Sequence, residues 1–256
     1  MDKKPRLTFD PPQWISGQPL YRELVRHLAD ALHKGVWLPG EAIPSEVELK
    51  RHYGLSIGTI RKAVDELVAK NILVRQQGRG TFVVSHDTHR YFFAFFRIAG
   101  LDGKLEYPGV ELLRFALDRA DAKTARALRI GVSERVWCFV NRLSLKGAPA
   151  IIDRVTVPTE IFPGLNEDML RERVGTVYSF YQQSFGVNVV RTQEHLRAVG
   201  ASGSFCEWLR VKPGAPLLHI ARSAYTYRDR PVELRESLVN CEHHEYCAEP
   251  VYGKNT

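Results

Sequence analysis

The chain has 256 residues, 44% of them hydrophobic and 25% charged, a balance that excludes disordered and collagen-like chains. Its length exceeds one typical domain and predicts two. The net charge of +7 favours a polyanionic partner, and the absence of an eighteen-residue apolar run predicts no membrane-spanning helix.

Residues 1–18 read as a loose N-terminal arm, with no apolar core that would make a secretory leader. Leu20, Leu24, Leu28, Ala31 and Leu32 recur at helical spacing and predict a helix over 19–34, with Gly35 as its stop. A turn-rich connector with two prolines follows over 36–44. Ser45 and Glu48 form an S-x-x-E capping box that opens a short helix, and Gly54 ends it. Ser56 caps the next helix, whose apolar face carries Ile60, Ala63, Val64 and Leu67. Two short strands, 72–75 and 81–84, flank Gln77-Gly78-Arg79-Gly80, a tight hairpin. Helix, helix, tight turn, helix and hairpin make a winged helix-turn-helix over 19–84.

Residues 85–90 read as a linker, and the pattern then turns to aromatic and β-branched runs. Strands are predicted over 91–98, 136–145, 151–157, 187–199 and 217–227, and helices over 124–128, 177–185 and 202–210. Segments 222–227 and 232–238 flank a hairpin at 228–231. The expected fold class is α+β, with a mostly antiparallel sheet in a second domain over 91–245 and a tail over 246–256.

Residues 50–80 hold seven Lys or Arg against two acids, so the local charge is +5 where the helix-turn-helix lies. The second helix of such a motif enters the major groove of DNA with its N-terminal residues facing base edges. Here it begins Ser56-Ile57-Gly58-Thr59-Ile60-Arg61-Lys62. Ser56, Gly58 and Thr59 allow close approach and phosphate binding, while Arg61 and Lys62 reach a base or phosphate one turn later. Gly78 and Gly80 leave Arg79 unobstructed at the wing tip, which suits a narrow minor groove. Ser45, at the head of the preceding helix, completes the DNA-contacting candidates. A solvated basic face is the competing reading, and it would require all of these features to coincide.

LPGEAIPSEVEL and GTIRKAVDELVAKNILVRQQGRGTFV, within residues 18–84, resemble the DNA-binding domain of GntR-family bacterial transcription regulators. The resemblance implies a homodimer on a short inverted-repeat operator of double-stranded DNA. Many members carry Arg where this chain has Val47 and Ile57, so the operator sequence does not carry over.

VNRLSLKGAPAIIDRVTVP, Phe162-Pro163-Gly164-Leu165, VYSFYQQSFG and VKPGAPLLHIARSAYTYRDRPVE resemble, in order and spacing, the UTRA effector domain of the HutC subgroup. That domain is similar in fold to chorismate lyase. The resemblance implies a small-molecule metabolite as effector, bound in a cleft of the sheet by Arg142, Asp153, Tyr178 and Glu233, with Arg97 as a looser candidate. An Arg and two acids in a half-buried cleft can read a polar or carboxylated metabolite. Cross-strand ion pairs involving Arg142–Asp153 or Glu233 are the equal alternative.

The sequence therefore predicts a ligand-responsive transcription regulator, in repressor form, located in the cytoplasm. A chorismate-lyase-like enzyme tethered to DNA, or a regulator whose second domain binds nothing, are the alternatives. No nucleophile–base pair, P-loop or dinucleotide motif is present. Cys138, Cys206, Cys241 and Cys247 lack CxxC spacing, which disfavours a zinc ribbon and disulfides. His243, His244 and Glu245 read as an exposed polar segment rather than a metal site, and Cys206 as core. No cofactor, metal or catalytic residue is expected.

Overall fold

The computed structural model describes residues 10–14, 17–85, 95–103 and 106–248. The chain divides into two compact units, one formed by its first 86 residues with the turn at 226–230, the other by the remainder. Most of the predicted arm, linker residues 86–90, residues 91–94 of the first strand and 249–256 of the tail lie outside the described residues.

In the first unit α1 spans Leu20–His33, α2 Glu46–Tyr53 and α3 Ile57–Ala69. Leu24, Leu28, Leu49, Ile60, Ala63, Val64 and Leu67 are buried and tie the three helices together. Ser45 closes the full capping box on α2, and a left-handed Gly54 (φ 65°) stops that helix. Ser56 then caps α3 by accepting the Thr59 N–H at 3.1 Å. The wing pairs β1 (Leu73–Gln76) with β2 (Gly80–Val83), antiparallel, with Gln76 opposite Gly80.

The second unit is built on one antiparallel sheet, joined in the order β4-β5-β6-β9-β8-β7. Its strands are β4 (Gly109–Arg119), β5 (Arg135–Leu145), β6 (Ala148–Pro158), β7 (Arg191–Gly200), β8 (Pro216–Tyr225) and β9 (Pro231–Asn240). The helices are α4 (Ala122–Leu128), α5 (Glu167–Glu172), α6 (Val177–Phe185) and α7 (Ser204–Leu209). A separate ribbon pairs β3 (Ile98–Gly100) with β10 (His244–Tyr246).

The two faces of the sheet carry different cores. On the first, Phe139, Val155 and Ala224 pack with Phe162, Tyr178 and Tyr181 of the α6 region. At the other end of that face, Ile98 and Tyr246 of the ribbon meet Ile151, Ile220 and Val239. On the second face, Val140, Ile152 and Leu217 meet Leu209 of α7, and Val136 meets Ala125 and Leu128 of α4.

Several expectations are corrected. β4 and α5 are additional elements, and β7 begins at Arg191 rather than at 187. The hairpin expected at 228–231 is present: β8 and β9 pair antiparallel and are joined through a 3-10 turn, Tyr227–Asp229. His243 and Glu245 are exposed, as expected of a polar segment, and His244 and Glu245 additionally pair as strand residues, opposite Gly100 and Ala99. No helix among the described residues is long and apolar enough to cross a membrane, and no cluster of three or more metal-ligating side chains occurs among them.

Candidate DNA interface and effector site

The first unit presents its candidates on exposed surface. Ser45 and Ser56 spend their hydroxyls on helix caps, and Ser56 Oγ also lies 2.9 Å from Thr59 Oγ1. What they offer outward is the N-terminal end of each helix, where N–H groups and the helix dipole favour an anion. A side chain at Gly58 would make only an ordinary contact, 3.8 Å from Ser56 Oγ. The fold itself therefore does not demand glycine there, and the open space faces outward.

Arg61 is 61% exposed in its side chain, and its Nε donates to Glu46 Oε2 at 3.1 Å. Among the described residues both Nη groups remain available. Glu46 Oε1 accepts from Arg75 Nη2 at 2.8 Å, and Arg75 also pairs with Asp65 at 2.5 Å. One carboxylate on α2 thus bridges α3 and β1. Lys62 lies with Nζ 4.0 Å from the centroid of the Tyr21 ring on α1. Gly78 (φ 71°) and Gly80 (φ 116°) supply the conformations that the wing turn requires. Arg79 projects there, its guanidinium 5.8 Å from the Phe82 ring. Glu46, Tyr21 and Arg75 carried no motif signal, because each acts through a contact distant in sequence.

The candidates of the second unit are buried. Glu233, with no exposed surface, accepts from Tyr178 Oη at 3.0 Å and Tyr181 Oη at 2.9 Å. Arg235 binds the same carboxylate bidentately, Nε to Oε1 at 3.0 Å and Nη2 to Oε2 at 2.9 Å. Its Nη1 reaches Asp153 Oδ2 at 2.9 Å, and Ser237 Oγ donates to Asp153 Oδ1 at 2.6 Å. Burial, reinforced by Glu233, raises both tyrosines, so they remain protonated donors. Burial works against the Arg235 charge, but Glu233, Tyr178 and Asp153 outweigh it and raise its pKa.

Alongside lies a second pair. Arg222 Nε donates to Glu194 Oε1 and its Nη2 to the Phe95 carbonyl, both at 2.6 Å. Tyr246 Oη donates to the other Glu194 oxygen. Burial pushes Glu194 up, yet Arg222 and Tyr246 more than reverse it, and its pKa falls below the ordinary 4.5. Arg97 donates through Nη1 to the Ala248 carbonyl at 2.8 Å, while its Nε is buried with no hydrogen-bond partner among the described residues. A cavity of about 30 Å³ is lined by Arg97, Asp153, Arg222, Arg235, Ser237 and Tyr246 among others. Three cations (Arg97, Arg222, Arg235) balance three acids (Asp153, Glu194, Glu233) in this region.

Asp153, Tyr178, Glu233 and Arg97 therefore share one face of the sheet, and Arg142 does not. Asn141 is the residue opposite Asp153, and Asp153 in turn is opposite Ser237. Arg142, one position on, points to the other face, where its Nε pairs with Glu111 at 3.1 Å. The Arg142–Asp153 pair is replaced by Arg235–Asp153 and Arg235–Glu233. The sequence reading missed Arg235, Ser237, Tyr181, Arg222 and Glu194. The available signal was Glu233, Arg235 and Ser237 at i, i+2 and i+4 on one strand.

A winged helix-turn-helix head joined to a domain with a buried, charge-balanced polar site is the make-up of a regulator of transcription. The family comparisons agree. Residues 105–245 match the UTRA domain, just over half of the chain, and residues 20–83 match the bacterial regulatory proteins of the gntR family. The chain belongs to the UTRA-bearing, HutC-type regulators of the GntR family. It is 29% identical over 224 residues to the "Probable fructoselysine utilization operon transcriptional repressor" of Escherichia coli K12, covering 86% of this chain and 90% of that protein. The histidine utilization repressor of Pseudomonas putida is 29% identical over 213 residues, covering 82% of this chain and 84% of that one. Among solved structures, the ligand-binding domain of a candidate GntR-family regulator from Bordetella bronchiseptica is 36% identical, with a TM-score of 0.57. That match covers 60% of this chain and 95% of that chain.

Proposed function

We propose that the protein is a cytoplasmic repressor that binds an inverted-repeat operator as a homodimer and is controlled by a small polar metabolite. The relatives named as repressors support the sign of regulation. In this reading α3 enters the major groove, Arg61 reads a base edge through its Nη groups, and Ser56, Gly58, Thr59 and Lys62 seat the helix on phosphates. Ser45 aims the start of α2 at the backbone, and Gly78 and Gly80 let Arg79 enter the minor groove. The effector site is the first sheet face, where Asp153, Tyr178, Glu233 and Arg97 act with Arg235 and Arg222. Arg142, on the second face, acts there only as the partner of Glu111.

The observation that carries the proposal is the buried Nε of Arg97, unpartnered among the described residues, beside a charge-balanced network. A buried donor without a partner is rare and marks a place for a ligand atom or a water. A polar ligand bearing both acceptors and donors fits such a lining. Binding there would favour one arrangement of the two heads and the operator another, so each weakens the other by the same factor, typically ~5- to 150-fold.

Footprinting on DNA flanking the gene, at fixed salt, tests the first half: protection of two half-sites one helical turn apart is expected. A single unpaired half-site would overturn the dimeric reading. A metabolite screen read by thermal shift, repeated on Arg97→Ala, tests the second half. The same stabilisation in both proteins would place the effector elsewhere.

A further inference from the structure

The second face of the sheet holds a larger and emptier site than the first. A groove of about 410 Å³ opens between α4 and α7, a volume in the range of small-molecule pockets. The cavity on the first face, about 30 Å³, holds no more than a water or two. Val140, Cys138, Leu234 and Trp208 supply apolar walls to the groove.

Across its floor runs a single cross-strand row, Arg114 on β4, Val140 on β5, Arg154 on β6 and Glu236 on β9. Two strand spacings put the Arg114 and Arg154 backbones about 10 Å apart, within which two arginine side chains converge on one anion. The acids around them have partners of their own, although Glu236, opposite Arg154, also feels its charge. Glu236 takes Lys123 at 2.9 Å, Asp118 accepts the Arg119 N–H at 2.7 Å, and Asp121 caps α4 by accepting the Thr124 N–H at 2.7 Å. Arg119 itself donates to the Ser133 carbonyl. Arg114 and Arg154 are left, with no hydrogen bond or ion pair among the described residues.

The geometry points to a second ligand site here, separate from the effector network, for a small dianion with an apolar body. The two guanidiniums would hold a phosphate or paired carboxylates by charge-assisted bonds, and the body would lie on Val140 and against Trp208. Neither arginine contributes to a core, so removing both should leave the fold intact.

The test is calorimetric titration of the full-length protein with phenyl phosphate, inorganic phosphate and phenol. Phenyl phosphate should bind more tightly than phosphate, and phenol should not bind measurably. Arg114→Ala/Arg154→Ala should weaken phenyl phosphate by about tenfold or more, the loss expected for two charge-assisted contacts, with an unchanged melting temperature in phosphate-free buffer. Arg97→Ala, on the other face, should bind phenyl phosphate as the parent does. No binding to the parent protein, or equal binding by the double variant, overturns the site. So does loss of binding in Arg97→Ala alone, which would send the anion to the first face. A change of assembly state in the double variant without any effect on phenyl phosphate also overturns it, and gives the row to contacts between copies of the chain.

Discussion

The two units hold their polar residues in opposite ways. In the head, Arg61, Lys62 and Arg79 stand in solvent, each steadied by one neighbour and otherwise uncommitted. In the second unit, Glu233, Arg235 and Asp153 are buried and satisfy one another almost completely. An exposed, singly tethered side chain can be removed at little cost to folding, so its loss reports on binding. A buried network has no such separation, because removing one member strands the rest without partners.

The contrast is sharpest at Glu233. Glu233→Ala leaves Arg235 with one acid and takes from the Tyr178 and Tyr181 hydroxyls the carboxylate they both donate to, a cost of about 3–5 kcal/mol. A melting temperature lower by roughly 10 °C is expected, read by circular dichroism. A shift within a degree or so would show that the network is not part of what holds the unit together. Arg61→Ala should do the reverse. Operator discrimination should fall by about 1–3 kcal/mol in titrations against matched and scrambled DNA, while the melting curve stays put. Equal binding of both proteins to both sequences would take Arg61 out of the interface.

A smaller effect is expected at Arg142. Its pair with Glu111 is half-exposed, so Arg142→Ala should cost no more than about 1 kcal/mol. Effector-induced release of DNA should survive the change; its loss would show that the two sheet faces act together. The smallest effect concerns acid. Arg222 and Tyr246 hold Glu194 below its ordinary 4.5, so its contribution is full above 4.5 and is lost as pH falls from there through the lower folded value. In urea titrations Glu194→Gln should flatten this acid limb, and an unchanged slope would mean that the Arg222 pair contributes nothing.

Sequence made the head readable because its signals are local. Capping box, Ser56 cap and the glycines at 54, 78 and 80 each act within four residues. The second unit is specified by pairings far apart in the chain. β4, GVELLRFALDR, is an edge strand with most of its residues exposed or half-exposed, so no two-residue alternation marked it. Arg142 was grouped with Asp153 because a one-residue difference in strand parity decides which face a side chain joins. β9 inverts the usual pattern, burying Glu233, Arg235 and Ser237 while Leu234 and Leu238 are only half-buried. Polar residues read as outward by default, so Arg235, the centre of the network, went unmarked. Tyr178 and Glu233 were marked only through the family resemblance.

The small volume behind Arg97 also has a kinetic meaning. With the effector at the proposed site, a metabolite larger than a water or two does not fit the volume of about 30 Å³ present, so the lining must first rearrange. The observed association rate would then rise with ligand concentration and level off at the opening rate, far below the encounter limit.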